Sequence, residues 1–272
     1  MKVRKTAKAV LARAPLVEAL FRRFIWSRIH FPEAELRVLH SLPKGAIDTA
    51  IDVGAAQGSY TWVLNRKARK VFAFEPGEQH GRFLRRALFG TRISLIGAAA
   101  GDANTKATMY VAGCDGEALH SATMSSMNPI ANASRAETRQ VRQITLDAFE
   151  ANEIDVGRSI DLLKIDVEGY ELQVLRGAKA LIERHLPLII CEIEKRHNPD
   201  YQKAFEFLWS LGYESYVLRT QRFELFRGVD IDDLQREENL AERLGGGVDS
   251  RHNAYINNFV FQHSKSRLKI AA

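Results

Sequence analysis

At 272 residues the chain is long enough for one large domain with a substantial core, and no apolar run approaches the roughly 20 residues that span a bilayer. Its two cysteines, Cys114 and Cys191, are far apart without paired spacing, which excludes a disulfide framework or zinc cage and leaves Cys191, inside an apolar run, as a packing residue. The formal charge of +6 is concentrated at the start, where Lys2, Arg4, Lys5, Lys8, Arg13, Arg22, Arg23 and Arg28 face a single acid, Glu18.

That asymmetry admits a nucleic-acid, anionic-lipid or phosphorylated partner, although a solvated helix face accounts for it more simply. Val10-Leu11-Ala12 is cut short by Arg13, so the uninterrupted apolar core of a secretory signal is missing. The expected location is cytoplasmic, with peripheral contact between residues 1–30 and an anionic membrane as the variant reading. Val10, Leu11, Leu16, Val17, Leu20, Phe21, Phe24 and Ile25 recur at helical spacing around Pro15, which predicts two short amphipathic helices that either cap the next domain or rest on a membrane. Residues 1–40 are read as this helical extension, 41–264 as the main domain and 265–272 as a tail.

Leu42-Pro43-Lys44-Gly45 opens the domain as a turn. Ile47 to Val53 reads as a strand, Gly54 to Gly58 as a tight loop, and Tyr60 to Leu64 as the start of a helix. Glycines at such a turn allow main-chain conformations closed to other residues and let a flat ligand approach the backbone. Lys70 to Phe74 is a second strand ending at Glu75. A helix through Phe83, Leu84 and Leu88 follows, then a third strand, Ile93–Ile96, running on to Asp102. Residues 103–158 are less regular, with strands expected near 107–111 and 141–146, and Ser125-Ser126-Met127-Asn128-Pro129 between them as a lid or substrate loop.

Ser159 to Val167 is the next buried strand, and Glu168-Gly169 turns into a helix carrying Leu172 to Leu181. Pro187 to Ile193, a helix from Tyr201 to Leu211, Tyr213 to Leu218 and Ile256 to Phe261 complete the pattern. Strands alternating with helices specify an α/β, doubly wound, mostly parallel sheet with helices on both faces.

In such sheets ligands bind beyond the carboxyl ends of the strands. Asp52, Glu75, Asp166 and Glu192 fall there, with Glu168 just beyond. The G-x-x-x-G of Gly54 and Gly58 is neither a dinucleotide fingerprint nor a phosphate loop. Glu75 is placed to accept both hydroxyls of an unphosphorylated ribose, so a nucleoside without phosphates fits best.

Ile51 to Tyr60, followed by Phe74-Glu75-Pro76, resembles the cofactor signature of class I methyltransferases, whose donor is S-adenosyl-L-methionine. Thr145 to Phe149 and Asp161 to Ala178 are similar to the defining block of the FkbM family, and Asn258 to Phe261 resembles that family's last strand. The likeness covers about Ile47 to Ile193 and implies a seven-stranded Rossmann-like methyltransferase sheet. It implies that Gly54 and Gly58 line the methionine side of the cofactor, within a signature that also holds Asp52 and Tyr60, and that Glu75 binds the ribose. Asp102 is implied to meet the adenine, with a turn role equally open. Asp166 would lie beside the transferable methyl group and Glu168 at the pocket mouth.

The family likeness also implies methylation of oxygen on a sugar, glycolipid or secondary metabolite. Such chemistry needs the acceptor oxygen held in line and its proton removed, for which Asp166, Glu168 and Glu192 are the candidate bases. Lys164 is either an orienting cation or, as preferred at this level, a strand residue paired with a neighbouring acid. No metal site is assigned, because helix capping also explains acids at strand ends. Among the histidines only His252, near the last strand, draws attention. The partner expected is a small-molecule or glycan acceptor rather than nucleic acid; the alternative is an RNA methyltransferase using the basic N-terminus, although N/D-P-P-[YF] is missing after the fourth strand.

Overall fold

The computed structural model describes residues 17, 23, 34–112, 125–128, 136–219, 222–228, 230–236 and 255–269. The helices are α1 (Ala34–Ser41), α2 (Ser59–Lys67), α3 (Glu78–Ala87), α4 (Leu146–Glu153), α5 (Glu171–Arg176), α6 (Lys179–His185) and α7 (Gln202–Ser210). The main sheet contains β1 (Ile47–Val53), β2 (Ala68–Phe74) and β3 (Ile93–Ile96); the short β4 (Ala99–Ala100), β5 (Thr105–Ala112), β6 (Ser125–Ser126) and β7 (Ala136–Ile144) form a second sheet. The main sheet resumes with β8 (Ile160–Ile165), β9 (Leu188–Glu192), β10 (Tyr213–Arg219), β11 (Arg222–Phe226) and β12 (Asn258–His263).

The main sheet runs β11-β10-β12-β9-β8-β1-β2-β3. Strands β3, β2, β1, β8 and β9 are mutually parallel, and β12 runs antiparallel between β9 and β10. The sheet therefore has eight strands where seven are expected. The addition is β11, which pairs antiparallel with β10 from Ser215↔Phe226 to Arg219↔Arg222 at the sheet edge.

Helices cover both faces. Leu36 and Leu39 of α1, Val63 of α2 and Leu84 of α3 pack on one side with Leu162 and Ile190. Phe149 of α4, Leu175 of α5, Leu181 of α6 and Phe205 of α7 pack on the other with Val53, Ile165 and Cys191. Because α1 contributes fully buried Leu36 to the core, this part of the N-terminal extension belongs to the domain. Of residues 1–30, Val17 and Arg23 alone are described; Arg23 Nη1 donates to Phe89 O at 3.2 Å and its guanidinium lies 5.0 Å from the Trp62 ring centre. Residues 265–269, expected as a tail, also pack against the domain: Ser266 and Leu268 are buried and Arg267 Nη2 reaches Asp161 Oδ2 at 2.8 Å.

The stretch read as irregular forms the second sheet. β5 pairs antiparallel with β7 over its full length, from Thr105↔Gln143 to Ala112↔Ala136, while β6 adds to β5 and β4 to β7. The single helix expected after Gly169 is split into α5 and α6 at Gly177-Ala178. A Cβ on Gly177 would lie 1.9 Å from Gly101 O, so the break sits where two backbones touch. Asp147 then caps α6 from outside, accepting from Leu181 N at 2.8 Å and Ala180 N at 3.2 Å. Among the described residues no helix is long and apolar enough to cross a membrane.

Phe205 is fully buried, with its ring centre 4.8 Å from that of Phe259 and 5.4 Å from that of Phe261. It joins α7 to the antiparallel half of the sheet. Phe205→Ala should lower the urea midpoint by the equivalent of about 3–5 kcal/mol; a loss below about 1 kcal/mol would show that this aromatic cluster does not secure that half.

Candidate functional site

The site forms where strand order reverses, between β1 and β8. Asp166 N donates to Val53 O at 3.0 Å, while Gly54 N and Ala55 N both donate to Phe74 O at 3.0 Å. Gly54 adopts φ +82, and a Cβ there would sit 1.8 Å from the Asp166 carbonyl oxygen. The glycine is thus required by the approach of two main chains, independently of any ligand. Gly58, at φ +87, starts α2.

Beyond these strand ends lies a partly open cleft of about 170 Å³. Gly54, Glu75, Asp166 and Glu168 line it, as do Ser126 and Met127 from the expected substrate loop. Its apolar walls include Phe74, Ala98, Ala100, Met109 and Val167. Asp52, Gly58, Tyr60, Asp102 and Glu192 are not among the lining residues. A second depression, at Lys195, Tyr201 and Asp232, contains none of the strand-end acids.

Glu75 is buried, with Oε2 accepting from Ala56 N at 2.9 Å and Oε1 from Gly77 N at 2.7 Å. Each oxygen keeps lone-pair capacity for another donor. Burial pushes its carboxyl up to about 7 against the pull of those amides. His80 lines the same wall, its Nδ1 3.9 Å from Glu75 Oε1, and burial lowers its pKa.

Asp52 and Tyr60 form the layer beneath. Burial raises Asp52 to about 6, although the Thr61 hydroxyl donates to its Oδ2 and the Lys164 charge opposes the rise. The Tyr60 ring centre lies 4.7 Å from Lys164 Nζ. Lys164 itself is 1% exposed and pairs with Asp166 Oδ2 at 3.3 Å. Burial disfavours its ammonium, but Asp166, Glu192 and Asp52 outweigh that and raise its pKa. Asp102 is exposed on the loop after β4.

The three acids read as candidate bases differ. Asp166 and Glu168 have side chains about 30% and 29% exposed, so both are accessible from the cleft. Glu192 accepts from Asn257 Nδ2 at 2.5 Å, and burial together with the Asp166 charge pushes its carboxyl well above the usual range. It therefore tends to hold a proton, whereas a base must first be free of one.

Glu168 has φ +51 and is followed by Gly169 at φ +95. A left-handed non-glycine residue persists only where its surroundings over-determine it. Here Ser126 Oγ donates to Glu168 O at 2.8 Å, and Asn128 and Asn198 Nδ2 donate to Gly169 O at 2.7 and 3.2 Å. Gly169 N donates to buried Glu171 Oε1 at 2.8 Å, and burial pushes Glu171 up to about 7. The segment carrying β6 is therefore tied to the turn that presents Glu168.

A polar cluster that sequence reasoning missed stands behind this turn. His197 Nε2 lies 2.9 Å from Glu168 Oε2 and 3.2 Å from Glu194 Oε2, with its N–H aligned on neither oxygen, so charge holds the group together. Arg196 Nε also pairs with Glu194 Oε2, and Asn257 Nδ2 donates to Glu194 Oε1 at 2.7 Å. Burial disfavours the His197 imidazolium, but the two carboxylates push it up to about 9. Burial would raise Glu194, yet His197 and Arg196 bring it down to about 2. The only sequence signal was Glu194-x-x-His197 just past a strand. His252 lies outside the described residues, as do Cys114 and His120. Among the described residues no group of three or more His, Cys, Asp or Glu is arranged to hold a metal ion.

Two outcomes test this geometry. Gly54→Ala should destabilise the fold by about 3 kcal/mol or more in urea unfolding, and a loss under about 1 kcal/mol would contradict the backbone contact. His197, raised from 6.5 to about 9, contributes stability fully below pH 6.5 and loses it as pH rises through 9. Glu194, lowered from 4.5 to about 2, contributes fully above pH 4.5 and loses it as pH falls through 2. The melting-temperature gap between wild type and His197→Gln should thus be widest between pH 4.5 and 6.5 and close towards pH 9; a gap independent of pH would contradict the pairing.

The model of the family described as "Methyltransferase FkbM domain" matches residues 52–215. Among solved structures, an FkbM methyltransferase from Methylobacillus flagellatus is similar at 16% identity and a TM-score of 0.47, covering 81% of this chain and 45% of its own. This chain thus spans less than half of that protein. An O-methyltransferase from Bacillus cereus in complex with SAH is similar at 12% identity and a TM-score of 0.45, covering 94% of this chain and 96% of its own. An rRNA methylase from Streptococcus thermophilus is similar at 13% identity and a TM-score of 0.42, covering 86% of this chain and 98% of its own. No curated protein matches the sequence. The family model spans more than half of the chain, including both the Gly54 loop and the Asp166–Gly169 turn, and the chain belongs to the FkbM methyltransferase domain family.

Proposed function

We propose that the chain is an S-adenosyl-L-methionine-dependent O-methyltransferase acting on a hydroxyl of a sugar, glycolipid or secondary metabolite. The observation that carries the reading is one cleft with a buried carboxylate, Glu75, on one wall and two accessible carboxylates, Asp166 and Glu168, on the opposite strand end. The residues present fit the donor. Glu75 has lone pairs left for a ribose diol, the alanines, Phe74 and Val167 offer an apolar bed for a flat base, and Asp166 suits a cation.

When bound, the donor would supply an electrophilic methyl carbon on a sulfonium. The chain's own work is then to align the acceptor oxygen and receive its proton as the new C–O bond forms. Glu168 is assigned that proton, being accessible at the cleft and held in a fixed turn. Asp166, lining the cleft, would face the donor's positive charge. Glu192, whose carboxyl burial and the Asp166 charge push upwards, is assigned a supporting role beside Asn257. Carboxylates at the mouth repel phosphates, which favours a neutral acceptor over RNA.

Calorimetry with S-adenosylmethionine should show binding that weakens at least about ten-fold in Glu75→Gln, about 1.4 kcal/mol. Equal affinity in the mutant would remove the ribose assignment. With labelled donor, a screen of glycans and glycolipids should give alkali-stable methyl ethers, and Glu168→Gln should lower turnover at least about a hundred-fold with donor affinity retained. Transfer to RNA bases instead would overturn the oxygen reading.

A further inference from the structure

Lys164 is among the largest fully buried side chains described, in a strand whose other residues are Ile160, Asp161, Leu162, Leu163 and Ile165. A buried ammonium persists only with a compensating charge. Its register partners are Asp52 on β1 and Ile190 on β9. Side chains alternate across a strand, so Asp166 and Glu192, each two residues further on, share its face. Asp52, Asp166 and Glu192 therefore converge on one cation, which also lies against Tyr60. Of these acids, Asp166 lines the cleft and touches Lys164 Nζ at 3.3 Å, while Asp52 is sealed against Thr61 and Glu192 against Asn257.

The geometry points to Lys164 as a positioning residue that holds Asp166 as the carboxylate facing the cleft, so that the pocket distinguishes a cationic methyl donor from its neutral product. This rests on the proposed donor. Without the ammonium, Asp166 would stand among Asp52, Glu75, Glu168, Glu171 and Glu192, with Cys191 nearby and no cation against it. Like charges at such distances cannot all persist, and a proton is taken up. Asp52 and Glu192, already pushed up by burial, compete poorly for the single positive charge. The donor is a sulfonium and the product S-adenosylhomocysteine a neutral thioether, so a fixed carboxylate favours the first and releases the second.

Calorimetry on the full chain with S-adenosylmethionine and S-adenosylhomocysteine tests this through the ratio of their dissociation constants. In Lys164→Met the preference for the donor should fall at least about five-fold relative to wild type at pH 7, with product affinity held within about two-fold. Asp166→Asn should lower the preference likewise, and the double substitution should add nothing further. A merely structural lysine would weaken both ligands alike, and a ratio unchanged or raised in Lys164→Met overturns the proposal. If Lys164→Met does not fold, Asp166→Asn decides alone: it leaves the ammonium unopposed, so the preference must fall, and an unchanged ratio overturns the assignment. Binding of neither ligand by wild type would overturn the donor reading and this proposal together, whereas binding of both with unchanged ratios overturns only the role of Lys164.

Discussion

The close approach of β1 and β8 at their carboxyl ends is the constraint on which the site depends. Gly54 presses its α-carbon against the Asp166 carbonyl, so the loop from one strand and the turn from the other are fixed with respect to each other. The Gly54 loop and the Asp166–Glu168 segment, both part of the cleft lining, hang from that junction. Glu75 reaches it through the Ala56 amide of the Gly54 loop, and Glu168 follows two residues after the contact. A side chain at position 54 would separate the two walls before any ligand arrived.

Electrostatics in the cleft are built from the same junction outwards. The acids in and beneath it are not equivalent, because each has a different partner: Thr61 for Asp52, backbone amides for Glu75, Lys164 for Asp166, His197 for Glu168 and Asn257 for Glu192. Two of these partners are cations, and they stand behind the two acids that solvent can reach. A hydrogen-bonded but uncharged neighbour leaves a buried carboxyl inclined to keep its proton, as with Glu75. The division of labour proposed for methyl transfer follows from this arrangement.

Much of the parallel half of the fold was legible in the sequence, because its strands are continuous apolar runs that end in an acid or a glycine. β1, Glu75 and the Asp166–Gly169 turn could be placed from those breaks alone. The β5/β7 ribbon was only partly legible, since the exposed Glu137, Arg139 and Arg142 interrupt any apolar run in β7 and resemble a loop. β11 was missed for a similar reason, with much of Arg222 to Phe226 facing solvent at an edge. Gly177 carried a signal for the helix break that periodicity overrode. The Glu194–His197 cluster draws on β9's exit and on Asn257 beside β12, and no local spacing announces contacts over 60 residues apart. Asp52 and Tyr60, read within the cofactor signature, lie beneath the cleft, where they face Thr61 and Lys164.

On the proposed reading, the cleft between the Gly54 loop and the Asp166–Gly169 turn holds the methyl donor. A crystal structure of the full chain grown with S-adenosylhomocysteine should show the ribose hydroxyls within hydrogen-bond distance of Glu75 and the thioether sulfur on the Asp166 side. A ligand seated instead in the depression at Lys195 and Asp232, or one whose ribose leaves Glu75 untouched, would contradict it.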